Sequence, residues 1–299
     1  MMRIRRHIYK SAAGCLMALL AGASIGAVVP PISDPPTGEY RHGKLVWIDL
    51  VTADVSAAQK FYGALFGWSF EEVEGGKARY ALAYQDGAPV AGMAARQPKP
   101  GQVRQSRWIA YMSVADVDQA AAGVIGKGGK ILIPARTVDG RGRMAVLADP
   151  DGAPLGLIKS SSGDPPDYRA ELGEWIWAIY QSPDAASAAA FYQDLGGYEV
   201  VPDDDRLGNA LSFTLQAEGF ARASLVEIPA GTTELRPDWL YFVRVPDVAA
   251  TVARAVELGG RVIVAPRPDL LNGRMAVITD PGGAPLGLLA WNPDDGEGN

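Results

Sequence analysis

Residues 149–157 read Asp149-Pro150-Asp151-Gly152-Ala153-Pro154-Leu155-Gly156-Leu157, and residues 280–288 repeat them with Gly282 in place of Asp151. The repetition runs well beyond this stretch. At an offset of 130 residues, later 131, Trp47 answers to Trp177, Asp54 to Asp184, Phe61-Tyr62 to Phe191-Tyr192, and Trp108 to Trp239. Further along, Asp116-Val117 answers to Asp247-Val248 and Gly142-Arg143-Met144-Ala145-Val146 to Gly273-Arg274-Met275-Ala276-Val277. Matches this dense over about 115 residues signal duplication, and so long a period means two stacked domains, not a solenoid. Whatever one half folds into, the other folds into as well.

Within the first half, the apolar run 45–52 suits a strand, Asp54 caps a helix through Phe61 and Tyr62, and Gly67 stops it. Three short strands follow at 68–73, 78–84 and 90–95, the last introduced by the turn Asp86-Gly87-Ala88-Pro89. The order restarts at Trp108, with Asp116 as cap, a helix over 117–125, and strands near 130–133, 143–148 and 155–159. Each half is therefore a pair of βαβββ units. The expected division is a signal peptide or N-terminal anchor at 1–29, a Pro-rich tether at 30–41, a module at 42–160, a linker at 161–171, a second module at 172–291, and a disordered tail at 292–299.

Residues 1–10 hold Arg3, Arg5, Arg6 and Lys10, and residues 11–29 carry no charge. A basic stretch before an apolar one is an export signal, with cleavage near Ala23 or Ala27. Retention as an anchor and lipidation at Cys15 are the alternatives. Without residues 1–29 the body has 24 Lys+Arg against 34 Asp+Glu, a net charge of −10, and no cysteine. So acidic a body has no footprint for nucleic acid, touches a membrane only through its N-terminal segment, and forms no disulfide.

At Asp54, Phe61-Tyr62, Leu65-Phe66-Gly67, Val114, Asp116-Val117 and Asp149-Pro150-Asp151-Gly152, all echoed in the second half, the chain resembles the vicinal oxygen chelate superfamily. That superfamily includes glyoxalase I, extradiol dioxygenases and bleomycin resistance proteins. The resemblance spans roughly residues 42–291 and implies an α+β fold: tandem modules of paired βαβββ units whose curved mixed sheets wrap clefts. It also implies where a metal would sit in the family. The ligand positions fall on Trp47, Trp108 and Gly156 in the first half and on Trp177, Trp239 and Gly287 in the second, with Ile109 and Leu240 as the alternatives for the middle strand. None of these side chains coordinates a divalent ion, and only two histidines occur, His7 and His42. The expectation is a protein without metal or other cofactor.

Alternation along a strand places Asp49 and Val51 with Trp47, Ala110 and Met112 with Trp108, Gln181 with Trp177, and Tyr241 with Trp239. If these faces line the clefts, the tryptophans either wall a pocket for a flat or apolar small molecule or fill the volume of a lost site as core. Asp49 is then a general base raised by burial, or a structural acceptor of N–H bonds. Arg143 and Arg274 either bind an anionic group or form structural ion pairs. Three functions follow: a small-molecule binder, an enzyme of lyase or isomerase type using Asp49 or a metal at unidentified ligands, or a structural protein with filled clefts. The oligomeric state is left open by the sequence, and the tandem modules are compatible with a monomer.

Overall fold

The computed structural model describes residues 29–75, 79–97, 105–203, 210–232 and 236–291. The expected export signal up to residue 28, Cys15 within it, and the expected tail 292–299 lie outside the described residues.

The first module runs β1 (Leu45–Thr52), α1 (Val55–Phe66), β2 (Ser69–Val73), β3 (Tyr80–Gln85), β4 (Ala88–Ala95), then β5 (Arg107–Ser113), α2 (Val117–Gly126), β6 (Lys130–Val138), β7 (Gly142–Ala148) and β8 (Pro154–Ser160). The second repeats the order with β9 (Trp175–Ser182), α3 (Ala185–Gly196), β10 (Glu199–Pro202), β11 (Ser212–Ala217), β12 (Phe220–Glu227), β13 (Asp238–Arg244), α4 (Val248–Glu257), β14 (Arg261–Val264), β15 (Met275–Thr279) and β16 (Pro285–Leu289). Each module is one eight-stranded mixed sheet, ordered β2-β3-β4-β1-β5-β8-β7-β6 and β10-β11-β12-β9-β13-β16-β15-β14. The central pairs β1–β5 and β9–β13 are antiparallel, so the two units of a module are related by a local twofold at the middle of its sheet.

Local chemistry explains the boundaries. The four α-helices among the described residues each start at an aspartate whose carboxylate accepts an early backbone N–H: Asp54 from Ala57, Asp116 from Gln119, Asp184 from Ser187 and Asp247 from Ala250. The repeated Asp-Pro turns work alike. Asp149 Oδ1 accepts from Ala153 N at 2.8 Å and Asp280 Oδ1 from Ala284 N at 2.8 Å, with Gly152 and Gly283 in the left-handed conformation that closes the turn.

The helix-bearing faces of both sheets share one hydrophobic core, and a reciprocal chain of hydrogen bonds crosses it. Trp108 Nε1 donates to the Tyr62 hydroxyl at 3.0 Å, and that hydroxyl donates to Asp280 of the second module at 3.2 Å. In mirror fashion Trp239 Nε1 donates to Tyr192 at 2.9 Å, and Tyr192 donates to Asp149 of the first module at 2.7 Å. The tight turns that define the repeat are thus the fasteners between its copies.

Residues 29–41 form neither helix nor strand, in line with their proline content. They do not hang free, however. Val29 and Ile32 are buried in the cluster on the helix-free face of the first sheet. Hydrogen bonds hold the segment to residues 162–164: Ser33 N to Ser162 Oγ at 3.1 Å, Thr37 N to Ser162 O at 2.9 Å, and Thr37 Oγ1 to Asp164 O at 2.8 Å.

Candidate functional site: the inner faces of two sheets

The face of each sheet that carries no helices is its inner face. In the first module Trp47, Val51, Ile109, Tyr111, Met144, Val146 and Ile158 meet there. Asp49 lies among them, buried, its Oδ1 accepting from Trp47 Nε1 at 2.8 Å and from the Tyr80 hydroxyl at 2.8 Å. The guanidinium of Arg141 stacks 3.9 Å above the Trp47 ring, and that residue is 3% exposed. Burial raises the Asp49 carboxyl above the usual range, opposed by the charge of Arg141 and by the hydrogen bonds from Tyr80 and Trp47. Burial, then the Asp49 charge, push the Tyr80 and Tyr111 hydroxyls up in turn.

The second module builds the same face without the charges. Ile179, Val226, Leu240, Phe242, Met275 and Val277 cluster there, with Trp177 packed beside them. Ile179 replaces Asp49 as the residue two beyond the tryptophan. The Trp177 indole finds a different acceptor, Ser224 Oγ, at 3.1 Å.

Trp47, Asp49, Trp177 and Gln181 therefore fall on the expected strand faces, while Trp108, Met112, Trp239 and Tyr241 do not. The antiparallel pairing decides this. Tyr111 lies opposite Trp47 and Ile109 opposite Asp49, so those residues share the inner face, whereas Trp108 lies opposite Leu50 and points into the helix-side core. In the second module Phe242 lies opposite Trp177 and Leu240 opposite Ile179, leaving Trp239 and Tyr241 on the other side. Counting to Ile109 and Leu240, the alternative the sequence left open, is the one that fits.

Arg143 is also displaced from the cleft. It pairs with Asp118 of α2, Nη2 to Oδ1 at 2.6 Å and Nε to Oδ2 at 2.7 Å. Arg274 Nε donates to the Leu271 carbonyl at 3.2 Å. Arg141, two residues before Arg143, reaches the inner face instead, as does Arg136, whose strand position lies opposite inward-facing Met144. The period-2 pattern of Met144 and Val146 carried that signal, because residues between them must point outward.

The metal that the fold suggests has no seat in these residues. Across β1, β5 and β8 the inner face offers one carboxylate, Asp49, and among the described residues no group of three His, Cys, Asp or Glu side chains converges. Gly156 lies opposite Tyr111, and a Cβ there would stand 2.1 Å from the tyrosine ring. A Cβ on Gly287 would stand 2.1 Å from the ring of Phe242. In both modules an aromatic ring occupies the space that a glutamate would need.

Comparison with known proteins agrees with this architecture. The family model of the Glyoxalase/Bleomycin resistance protein/Dioxygenase superfamily matches residues 44–157, and that of a glyoxalase-like domain matches residues 177–289. A putative glyoxylase, CFP32, of Mycobacterium bovis is 33% identical over 262 residues, covering 87% of this chain and 99% of that protein. The anthracycline biosynthesis protein DauV of Streptomyces sp. strain C5 is 32% identical over 263 residues, covering 84% and 94%. The Mn(II)-bound glyoxalase of Novosphingobium aromaticivorans superposes with a TM-score of 0.52 at 16% identity, over 84% of this chain and 83% of that one. With the fold, the tandem repeat and these relatives in agreement, the chain belongs to the glyoxalase/bleomycin resistance protein/dioxygenase superfamily as a two-module member.

Proposed function

We propose that this protein is an exported, metal-independent monomer that binds a flat apolar or aromatic small molecule on the inner face of its second module. The difference in exposure between equivalent walls carries the reading. Leu240 is 9% exposed and Val277 6%, whereas their counterparts Ile109 and Val146 are 1% and 0%. The second wall is apolar, carries Trp177 at half-buried depth, and keeps more solvent contact than the first. Such a surface, with the half-exposed Trp177 ring for stacking and few polar groups for orientation, suits a fused-ring ligand.

The relative named for anthracycline biosynthesis supports the same ligand class, since an anthracycline carries a planar fused-ring system. Independence from metal is supported by the rings over Gly156 and Gly287. Export is supported by the basic and then uncharged residues 1–29.

Titration with a neutral hydroxyanthraquinone, read by tryptophan quenching and by thermal shift, tests the binding. Saturable quenching is expected, weakened about tenfold or more in Trp177→Ala by loss of stacking area. A flat titration in the wild-type protein overturns the reading. A stoichiometric divalent ion retained through purification overturns its metal independence, and an intact N-terminus on protein kept inside the cell overturns export.

A further inference from the structure

The first module's inner face holds a group of polar atoms that its own chain does not satisfy. The Tyr111 hydroxyl, Nε and Nη2 of Arg136, and Nη1 of Arg141 are all buried without a hydrogen-bond partner. These are one cluster and not scattered faults: Tyr111 lies opposite Trp47, Arg141 stacks on that indole, and Arg136 lies opposite Met144 of the same inner-face cluster. Each buried donor left unpaired costs about 1–3 kcal/mol, and more where it belongs to a charged group, so folded proteins rarely keep several together without a use.

The cover over this face makes the mismatch sharper. Val29 and Ile32, which have no polar side-chain atom, pack into the cluster that holds Trp47 and Tyr111. Their segment is held at its flank through Ser33 and Thr37, by bonds to a loop outside the sheet. The contact inside the cleft is thus apolar and small, while the donors beneath it stay unpaired.

We propose that the inner face of the first module is a binding site for a small organic acid, its carboxylate received by Arg136, Arg141 and Tyr111, with residues 29–37 as the lid. The charge balance sets the class. Two guanidinium groups face one buried carboxylate, Asp49, while Glu71 on the edge strand β2 is exposed at the rim, so one further negative charge neutralises the buried cluster and a dianion such as phosphate exceeds it. Guanidinium forks match the plane of a carboxylate. Ile133, Val138 and Met144 supply an apolar wall for the body of the acid. This site is independent of the one proposed in the second module, whose inner face has neither the aspartate nor the Arg141 counterpart: Ile179 and Asn272 stand there.

The test is calorimetric titration of the full chain with sodium benzoate, with benzamide as its uncharged counterpart. Benzoate should saturate at one site and bind about tenfold or more tighter than benzamide, the usual worth of charge-assisted hydrogen bonds. Arg136→Met, with its circular dichroism spectrum retained, should remove that preference, whereas Trp177→Ala should leave it intact. Ile32→Ala loosens the lid and should tighten benzoate binding by a few-fold, because less apolar contact must be displaced. Benzoate no tighter than benzamide, or a preference that survives Arg136→Met, overturns the proposal, as does inorganic phosphate outcompeting benzoate. Failure of the hydroxyanthraquinone titration leaves this outcome untouched, and the reverse also holds.

Discussion

The two modules share every element of their topology and differ in what they expose inside. Residue for residue across the inner faces, Asp49 becomes Ile179, Tyr80 becomes Ser212, Gly92 becomes Ser224, and Tyr111 becomes Phe242. The first sheet closes over a charged cluster beneath its own N-terminal segment; the second presents an apolar wall with residual solvent contact. Both keep a tryptophan at the same place, and each finds it an acceptor from a different strand: the Asp49 carboxylate on β1 itself, or Ser224 on the neighbouring β12. The difference teaches that the duplicated scaffold is conserved where the halves touch, and that chemistry has diverged where they do not.

The largest expected effect comes from restoring a side chain at the glycines. Gly156→Ala forces its Cβ into a Tyr111 ring hemmed in by Asp49 and Tyr80, and should destabilise by about 3 kcal/mol in urea unfolding. Gly287→Ala meets the Phe242 ring at the same distance, but beside residues with room to give, and should cost about 1–2 kcal/mol. Equal losses would erase the proposed difference in packing.

The interface gives the next effect. Tyr192→Phe strips an acceptor from the buried Trp239 indole and a donor from Asp149, which should cost about 2–3 kcal/mol. Tyr62→Phe breaks the longer 3.2 Å bond to Asp280 and should cost about 1–2 kcal/mol. The reverse order would show that the two fasteners are not graded as their geometry indicates.

The smallest effect separates the charged cleft from the apolar one. Burial raises the Asp49 pKa above its unfolded value, so a bound proton favours the fold; the contribution is full below the ordinary carboxylate range and fades as pH rises through the elevated pKa. Asp49→Asn keeps an oxygen to accept from Trp47 and Tyr80 and removes the titration. Thermal melts from pH 4 to pH 8 should therefore fall less steeply with rising pH in the variant than in the wild type. Parallel curves would mean that Asp49 stays ionised throughout, held by Arg141.

Much of the scaffold was legible in the sequence because its signals are local. Asp54, Asp116, Asp184 and Asp247 announce helix starts through their own carboxylates, and Gly152 and Gly283 announce turns through their backbone. The inner face was only half legible. Alternation along β1 placed Trp47 and Asp49, yet which residues of β5 share that face depends on a register that no single strand reveals. Trp108 and Trp239 looked like cleft walls because they repeat, but they repeat for the sake of an interface. Arg136, Arg141 and Ile32 gave no motif at all, since what gathers them is closure of the sheet and the return of the N-terminal segment across it.

The reciprocal Trp–Tyr–Asp relay also bears on what half of this chain would do alone. A single module carries both ends of the fastener, the tyrosine with its tryptophan and the Asp-Pro turn, on a surface that matches another copy of itself around a twofold axis. Cut at the linker, either half would seek a partner, and its stability would vary with concentration. Joining the copies turns that bimolecular association into an event within one molecule, at an effective concentration set by a short connection. The tandem chain is, in this sense, a dimer that no longer has to meet.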